Sequence, residues 1–107
     1  MKYSVEFSTG ARQDLLKIYR YIMDAGRPQT ARRFSDQIAK ACSSLSENPE
    51  RGHVPAELEG MSAILCRQLV IKQYRIIYQI IGQVVIIHGI IDGHRKIGEV
   101  MRQRILI

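Results

Sequence analysis

The stretch that decides the fold is ILCRQLVIKQYRIIYQIIGQVVIIHGII, which occupies residues 64–91. It is rich in β-branched and aromatic side chains, which pack well on a pleated sheet. Two short interruptions, Lys72-Gln73 and Gly82-Gln83, divide it into three apolar runs. Because connections this short favour antiparallel neighbours, the stretch predicts a three-stranded meander with strands Ile64–Ile71, Tyr74–Ile81 and Val84–Ile91.

The residues before this stretch predict one strand and two helices. Alternating polar and apolar side chains predict a half-buried strand over residues 2–8. Apolar positions at helical spacing predict one helix over residues 11–25 and a second from Pro28 to Asn48. The connection between them is short, so the two helices are expected to form an antiparallel hairpin.

The remaining segments complete the domain. Residues 48–62 hold glycine and proline without a clear period and are interpreted as a surface loop. The tail, residues 94–107, has apolar residues at helical spacing and is expected either to form a short helix packed on the sheet or to fray. The order β-α-α-β-β-β predicts a single α+β domain over residues 1–107, with one sheet and the helical hairpin on one of its faces.

Composition excludes several classes of protein. Hydrophobic residues make up 46% and charged residues 24% of the 107 residues, as in ordinary globular proteins rather than disordered chains. No apolar run is long enough to span a bilayer, and the first residues carry no signal-peptide pattern. Cys42 and Cys66 form no CxxC motif, so we expect reduced thiols in a cytoplasmic protein. The histidines share no ligand spacing, so neither a metal nor a cofactor is expected.

Arginines within apolar strands mark the candidate binding site. The formal net charge is +6, and residues 60–107 carry seven basic and two acidic side chains. Arg67 and Arg75 interrupt strands, and Arg95 follows the last strand; together they are candidates for an anion-binding site on one sheet face, since arginine suits phosphate and carboxylate. The alternative is that each arginine pairs with a carboxylate, such as Glu6 or Asp92, or faces solvent. Strand alternation places Arg75, Ile77 and Gln79 on one face, and Tyr74, Ile76, Tyr78 and Ile80 on the other.

Two histidines are distinguished by their surroundings. His88 lies inside an apolar strand, which is typical of a hydrogen-bonded core histidine. His94 lies at a turn beside Arg95, where a proton-transfer or phosphate-binding role is open to it.

Four pieces of the sequence, together with the order of its elements, resemble the RelE/ParE superfamily of bacterial toxins over nearly the whole chain. The four pieces are Ala11…Asp14-Leu15…Ile18-Tyr19…Tyr21-Ile22, Asn48-Pro49…Gly52, Tyr74-Arg75-Ile76-Ile77-Tyr78 and Ile91-Asp92-Gly93-His94-Arg95. The resemblance implies a toxin of a type II toxin–antitoxin module, bound in a hetero-oligomer by a cognate antitoxin. It also implies growth inhibition, plasmid stabilisation and no membrane partner. RelE-like members cut mRNA in the ribosomal A site, whereas ParE-like members poison DNA gyrase.

The resemblance can be carried to individual positions of the nuclease site. Arg75 matches the arginine of the Tyr-Arg-x-x-Tyr strand, and Arg95 matches the arginine after the last strand. The catalytic tyrosine position falls on Met101, and a thioether transfers no proton. The lysine positions before the Tyr-Arg strand fall near Cys66 and Gln68, leaving Arg67 as the basic residue there.

These departures favour the ParE branch and inhibition of DNA gyrase by binding. The alternative is a ribosome-dependent mRNA endonuclease in which Arg75 and Arg95 steady the phosphate and His94 is the general acid or base. A third hypothesis is a module member that only binds its antitoxin.

Overall fold

The computed structural model describes residues 2–56 and 66–105, except for the side chains of Met101 and Ile105. The sheet has four strands in the order β1-β4-β3-β2, with β1 parallel to β4 and the other neighbours antiparallel. This confirms the predicted α+β fold. The elements are β1 (Ser4–Phe7), α1 (Thr9–Asp24), α2 (Pro28–Glu47), a 3₁₀ turn (Pro49–Arg51), β2 (Arg67–Ile71), β3 (Tyr74–Ile81), β4 (Val84–Asp92) and α3 (Ile97–Ile105).

Most predicted boundaries agree within a few residues. The predicted strand Ile64–Ile71 is observed from Arg67 onward, and residues 64 and 65 lie outside the described part of the chain. The predicted loop at 48–62 opens with the 3₁₀ turn, and its residues from 57 onward also lie outside the described part. In the tail, the helical alternative is observed as α3 over Ile97–Ile105, and residues 106 and 107 lie outside the described part.

Local chemistry explains where the hairpin helices begin and turn. The Ser8 hydroxyl accepts a hydrogen bond from the backbone N–H of Ala11 at 3.1 Å and caps the start of α1. Gly26 has a φ of +75°, a left-handed conformation that glycine adopts without a steric penalty, so the chain reverses there into α2. No described helix is both long and apolar enough to cross a membrane.

The two faces of the sheet are covered by different elements. The hairpin of α1 and α2 packs on one face, where Ile76 and Tyr78 of β3 are fully buried among its apolar side chains. We call this the hairpin face. Helix α3 packs on the other, the α3 face, where Ile77 joins the cluster Cys66, Ile91, Ile97 and Val100. The predicted alternation along β3 is confirmed by these two clusters.

A β-bulge interrupts the pairing of β3 with β4. Ile77 pairs with Gly89, whereas the next residue, Tyr78, pairs with Ile87, so His88 is the extra residue on β4. Bulges of this kind disrupt the ladder locally and change the direction of the strand. On the opposite edge of β4, the pairing with β1 ends at Ile87, and no other described strand pairs with that edge from His88 to Asp92.

Candidate anion-binding cleft

An open cleft of about 610 Å³ lies where β3, the turn after β4 and the first turns of α3 meet. Strand β3 contributes Arg75, the turn contributes His94, Arg95 and Lys96, and α3 contributes Glu99 and Arg102. We call it the cationic cleft, because four of these side chains carry a positive charge and one carries a negative charge. The structure thus brings Arg75, His94 and Arg95 to one cleft.

Arg75 organises the turn that forms the floor of the cleft. Its Nη2 donates to the carbonyl oxygen of Gly93 at 2.9 Å, and its Nη1 lies 3.4 Å from Oε1 of Gln68. The carboxylate of Asp92 accepts a hydrogen bond from the backbone N–H of His94 at 2.9 Å. Asp92 therefore shapes the turn that presents Arg95.

Arg67 does not join the cleft, and the expectation that three arginines project from one sheet face is wrong for this residue. Arg67 pairs with Tyr78 in the β2–β3 ladder and so lies on the hairpin face. Its Nη1 donates to the carbonyl oxygens of Gly52 at 2.9 Å and Glu50 at 3.3 Å. The reason is strand alternation, since successive side chains of a strand point to opposite faces of the sheet. Gln68 contacts Arg75 on the α3 face, so its neighbour Arg67 lies on the hairpin face.

Arg67 and Tyr78 both form hydrogen bonds with the backbone of the 3₁₀ turn Pro49–Arg51 and the following Gly52. The fully buried Tyr78 hydroxyl donates to the carbonyl oxygen of Pro49 at 2.7 Å and accepts from the N–H of Gly52 at 3.0 Å. Burial raises the pKa of this hydroxyl, so it stays protonated. A side chain at Gly52 would collide with it, since a Cβ there would lie 2.4 Å from the Tyr78 oxygen.

The two histidines differ as expected. His88 is half-buried, and its Nε2 lies 2.7 Å from Oε1 of Gln79, which is the satisfied core histidine that the sequence predicts. Burial, followed by the nearby charge of Arg104, lowers the pKa of His88. His94, in contrast, is exposed at the cleft.

One ion pair of the structure is not predicted by the sequence. The carboxylate of Asp14 is buried and forms a bidentate ion pair with the guanidinium of Arg104, with N–O distances of 2.6 and 2.9 Å. The available signal is the position of Asp14, which lies in line with the apolar stripe of α1 through Ala11 and Ile18. A carboxylate in a buried stripe demands a partner, but nothing local indicates a residue 90 positions away.

Residues 5–97 match the family described as the ParE toxin of the type II toxin–antitoxin system parDE. This chain belongs to the ParE toxin family. It is therefore a toxin of a type II toxin–antitoxin system.

Solved structures share the fold of this toxin. A structure of the chromosomal ParDE toxin–antitoxin system from P. aeruginosa has 20% identity and a TM-score of 0.68, covering 85% of this chain and 96% of that chain. The toxin–antitoxin complex RelBE2 from Mycobacterium tuberculosis has 24% identity and a TM-score of 0.59, covering 86% of this chain and 92% of that chain. A doubly substituted E. coli RelE in the free state has 21% identity and a TM-score of 0.59, covering 99% and 97%. No curated protein matches the sequence.

The cleft of this toxin suits the binding of anions better than acid–base chemistry. Its arginines can form bidentate hydrogen bonds with a phosphate or carboxylate group, and Lys96 adds a compact positive charge. Among the described lining residues His94 is the only imidazole, the side chain most often used for proton transfer near neutral pH. The described residues contain no group of three or more histidine, cysteine, aspartate or glutamate side chains placed to hold a metal ion.

The two cysteines of the toxin are free thiols on opposite sides of the sheet. Cys42 packs at the hairpin face and Cys66 in the cluster under α3. Burial raises the pKa of each thiol to about 11. A thiol in this state is a poor nucleophile, so neither cysteine fits a catalytic role.

Proposed function

We propose that this toxin stops growth by binding DNA gyrase, with the cationic cleft as the contact surface. Membership of the ParE family supports the choice of target. The observation that carries the proposal is the make-up of the cleft, in which four cationic side chains surround one imidazole and one carboxylate. A binding inhibitor needs only such a complementary surface, since charge complementarity speeds encounter and fixes orientation.

Cleavage of a phosphodiester makes further demands on the same cleft. It needs a proton acceptor for the 2′-hydroxyl, a proton donor for the leaving oxygen and positive charge on the phosphate. Arg75, Arg95 and their neighbours meet the third demand. His94 and Glu99 are the described candidates for the first two, and the sequence places methionine at 101, where the nuclease pattern has tyrosine. The Met101 side chain lies outside the described part of the chain.

The test compares both activities in one preparation. Purified toxin is added to a gyrase supercoiling assay and to a translation-coupled mRNA cleavage assay. We expect inhibition of supercoiling without mRNA cleavage. We expect Arg95→Ala to weaken the inhibition by about tenfold or more, because a hydrogen bond to a charged group contributes about 1.5–3 kcal/mol. Arg32→Ala is the matched control, because it removes another exposed arginine, on α2, which does not line the cleft.

The nuclease alternative has one specific observation in its favour. Arg75, His94 and Arg95, the three residues that it requires, line the same cleft. It predicts robust mRNA cleavage that disappears in His94→Ala and in Arg75→Ala, with supercoiling untouched. That result would overturn the gyrase proposal. Antitoxin binding without either activity would instead identify a member that has lost toxicity.

A second surface of the toxin is our candidate for the antitoxin-binding site. Two adjoining hollows of about 390 Å³ each share Tyr21, Gln73 and Tyr74, and together we call them the tyrosine groove. Tyr21 is 75% exposed, and Tyr74 packs on Phe34 with ring centroids 5.1 Å apart. The cationic residues that line the groove are Lys17, Arg27, Arg33, Lys72 and Arg95.

These features fit an acidic amphipathic segment, with apolar side chains against the tyrosines and carboxylates against the surrounding cations. Solved structures with this fold include toxin–antitoxin complexes. Hydrogen exchange of the toxin with and without co-purified antitoxin tests the assignment. We expect new protection in α1 and in the β2–β3 turn, and Tyr21→Ala to weaken binding. Equal exposure of residues 11–45 and 67–91 in both samples would rule out this surface.

A further inference from the structure

The outer edge of β4 is bare where β1 has ended. Strand β1 pairs with β4 only as far as Phe7 opposite Ile87, and Ser8 donates the last backbone hydrogen bond, to Ile87 at 2.9 Å. Beyond that point no strand of the described part of the chain lies beside the carbonyl of His88 and the N–H of Ile90. The N–H of Ile90 is buried and the carbonyl of His88 is partly buried. Such groups need partners, because leaving a buried one unpaired costs about 1–3 kcal/mol.

The Asp14–Arg104 ion pair supplies a partner for each of these groups, and the Ser8 hydroxyl makes a longer second contact, 3.3 Å, with the carbonyl oxygen of His88. Oδ2 of Asp14 accepts from the N–H of Ile90 at 3.0 Å, and Nη1 of Arg104 donates to the carbonyl oxygen of His88 at 2.9 Å. Two side chains, one from α1 and one from α3, thus replace the missing stretch of strand. The pair is largely shielded from water, with side-chain exposures of 9% for Asp14 and 23% for Arg104.

Two glycines leave the space that the guanidinium needs. A Cβ at Gly89 would lie 2.6 Å from Nη1 of Arg104, and a Cβ at Gly10 would lie 3.1 Å from its Nε. The arginine therefore passes through a slot between α1 and β4 that larger residues would close. A slot shaped around one side chain indicates a specific attachment and not an incidental surface ion pair.

This attachment lies one turn beyond Val100, the last described residue of α3 in the apolar cluster. Ile97 and Val100, near the beginning of the helix, are buried against Ile77 and Ile91. Arg104 anchors the following turn. Glu99 and Arg102 of the cationic cleft lie on α3 between Ile97 and Arg104. Their positions therefore depend on how both ends of α3 are held against the sheet.

We propose that Asp14 and Arg104 are positioning residues, which clamp α3 against the open edge of β4 and thereby complete the cationic cleft. Opening the clamp frees the end of α3 and separates Arg102 from the remainder of the cleft. The functional half of this inference rests on the proposed role of the cleft. The structural half, the docking of α3, stands independently of any target.

Hydrogen exchange measured by NMR on the full-length toxin tests the structural half. In Arg104→Met we expect amides 102–104 to exchange about tenfold faster or more, because removing one member of a buried pair leaves a buried charge unpaired. Amides 76–78 of β3 are expected to change far less. Arg104→Lys, which keeps the charge without the bidentate geometry, should fall in between. Asp14→Asn probes the other member of the clamp if the arginine variants fold poorly.

Arg102→Met is the matched control for exchange, because it removes an arginine from the same helix that forms no hydrogen bond or ion pair among the described residues. It should leave amides 102–104 close to wild type. Unchanged exchange of α3 in Arg104→Met, or equal acceleration throughout the sheet and α3, would overturn the clamp.

Growth arrest at matched soluble expression tests the functional half. We expect wild type to be the most toxic, Arg104→Lys to be less toxic and Arg104→Met to be the least toxic. The control Arg32→Ala should be as toxic as wild type. Full toxicity in a variant whose α3 exchanges freely would refute the positioning role. If wild-type toxin leaves gyrase untouched, the proposed target fails, whereas the exchange data still decide whether α3 is clamped.

Discussion

Replacing Tyr78 with phenylalanine removes one hydroxyl from the centre of the hairpin face. The hydroxyl holds two backbone groups of the turn after α2, the carbonyl of Pro49 and the N–H of Gly52. The substitution leaves no cavity larger than an oxygen atom, so the loss is confined to these hydrogen bonds. A net contribution of about 0.5–1.5 kcal/mol for each bond gives an expected destabilisation of about 2 kcal/mol.

This value translates into a measurable shift of the unfolding temperature. The chain has 107 residues, and an unfolding entropy of about 2.1 cal/mol/K per residue makes 2 kcal/mol equivalent to about 9 °C. Urea unfolding followed by circular dichroism should show a lower midpoint at an unchanged slope. Tyr21→Phe is the matched control, since that ring is 75% exposed, and it should leave the midpoint in place. A Tyr78→Phe protein within about 0.5 kcal/mol of wild type would refute the reasoning, because surface substitutions have effects of that size.

Three further predictions concern the same framework. Gly52→Ala should destabilise the toxin by about 1–3 kcal/mol in urea unfolding, since its Cβ would meet the Tyr78 hydroxyl and a backbone carbonyl; an unchanged midpoint would contradict the close approach. Burial lowers the pKa of His88 below 6.5, so the unfolded chain takes up that proton first and stability should fall as pH drops below 6.5. His88→Gln should flatten that part of the stability–pH curve, and parallel curves would exclude His88 as the source. Because burial raises the pKa of Cys42 and Cys66 to about 11, both thiols should react with Ellman's reagent at pH 8 about a hundredfold more slowly in the folded toxin than in guanidinium; equal rates would contradict their burial.

Much of the candidate site could be predicted from local pattern. The two-residue turn Lys72-Gln73 sets the register of β2 against β3, and Lys72 adopts the left-handed φ of +53° that such a turn requires. That register places Arg67 opposite Tyr78, so the sequence contained the signal that Arg67 and Arg75 lie on different faces. The prediction that Arg67 and Arg75 share a face is wrong because alternation within one strand does not relate two strands. The register between β2 and β3 is needed as well.

The sequence by itself determined the elements, their order and the buried side of each, because periodicities of two and 3.6 residues decide which side chains meet the core. Only the tertiary structure decided which distant groups meet. Strand β1 ends at Phe7 and leaves the edge of β4 beyond Ile87 without a strand among the described residues, and Asp14 meets Arg104 at this edge. The physical reason is that a buried carboxylate demands a partner without specifying where in the chain that partner lies. The packing of α3 against the sheet brings Arg104 to Asp14 and so provides the partner.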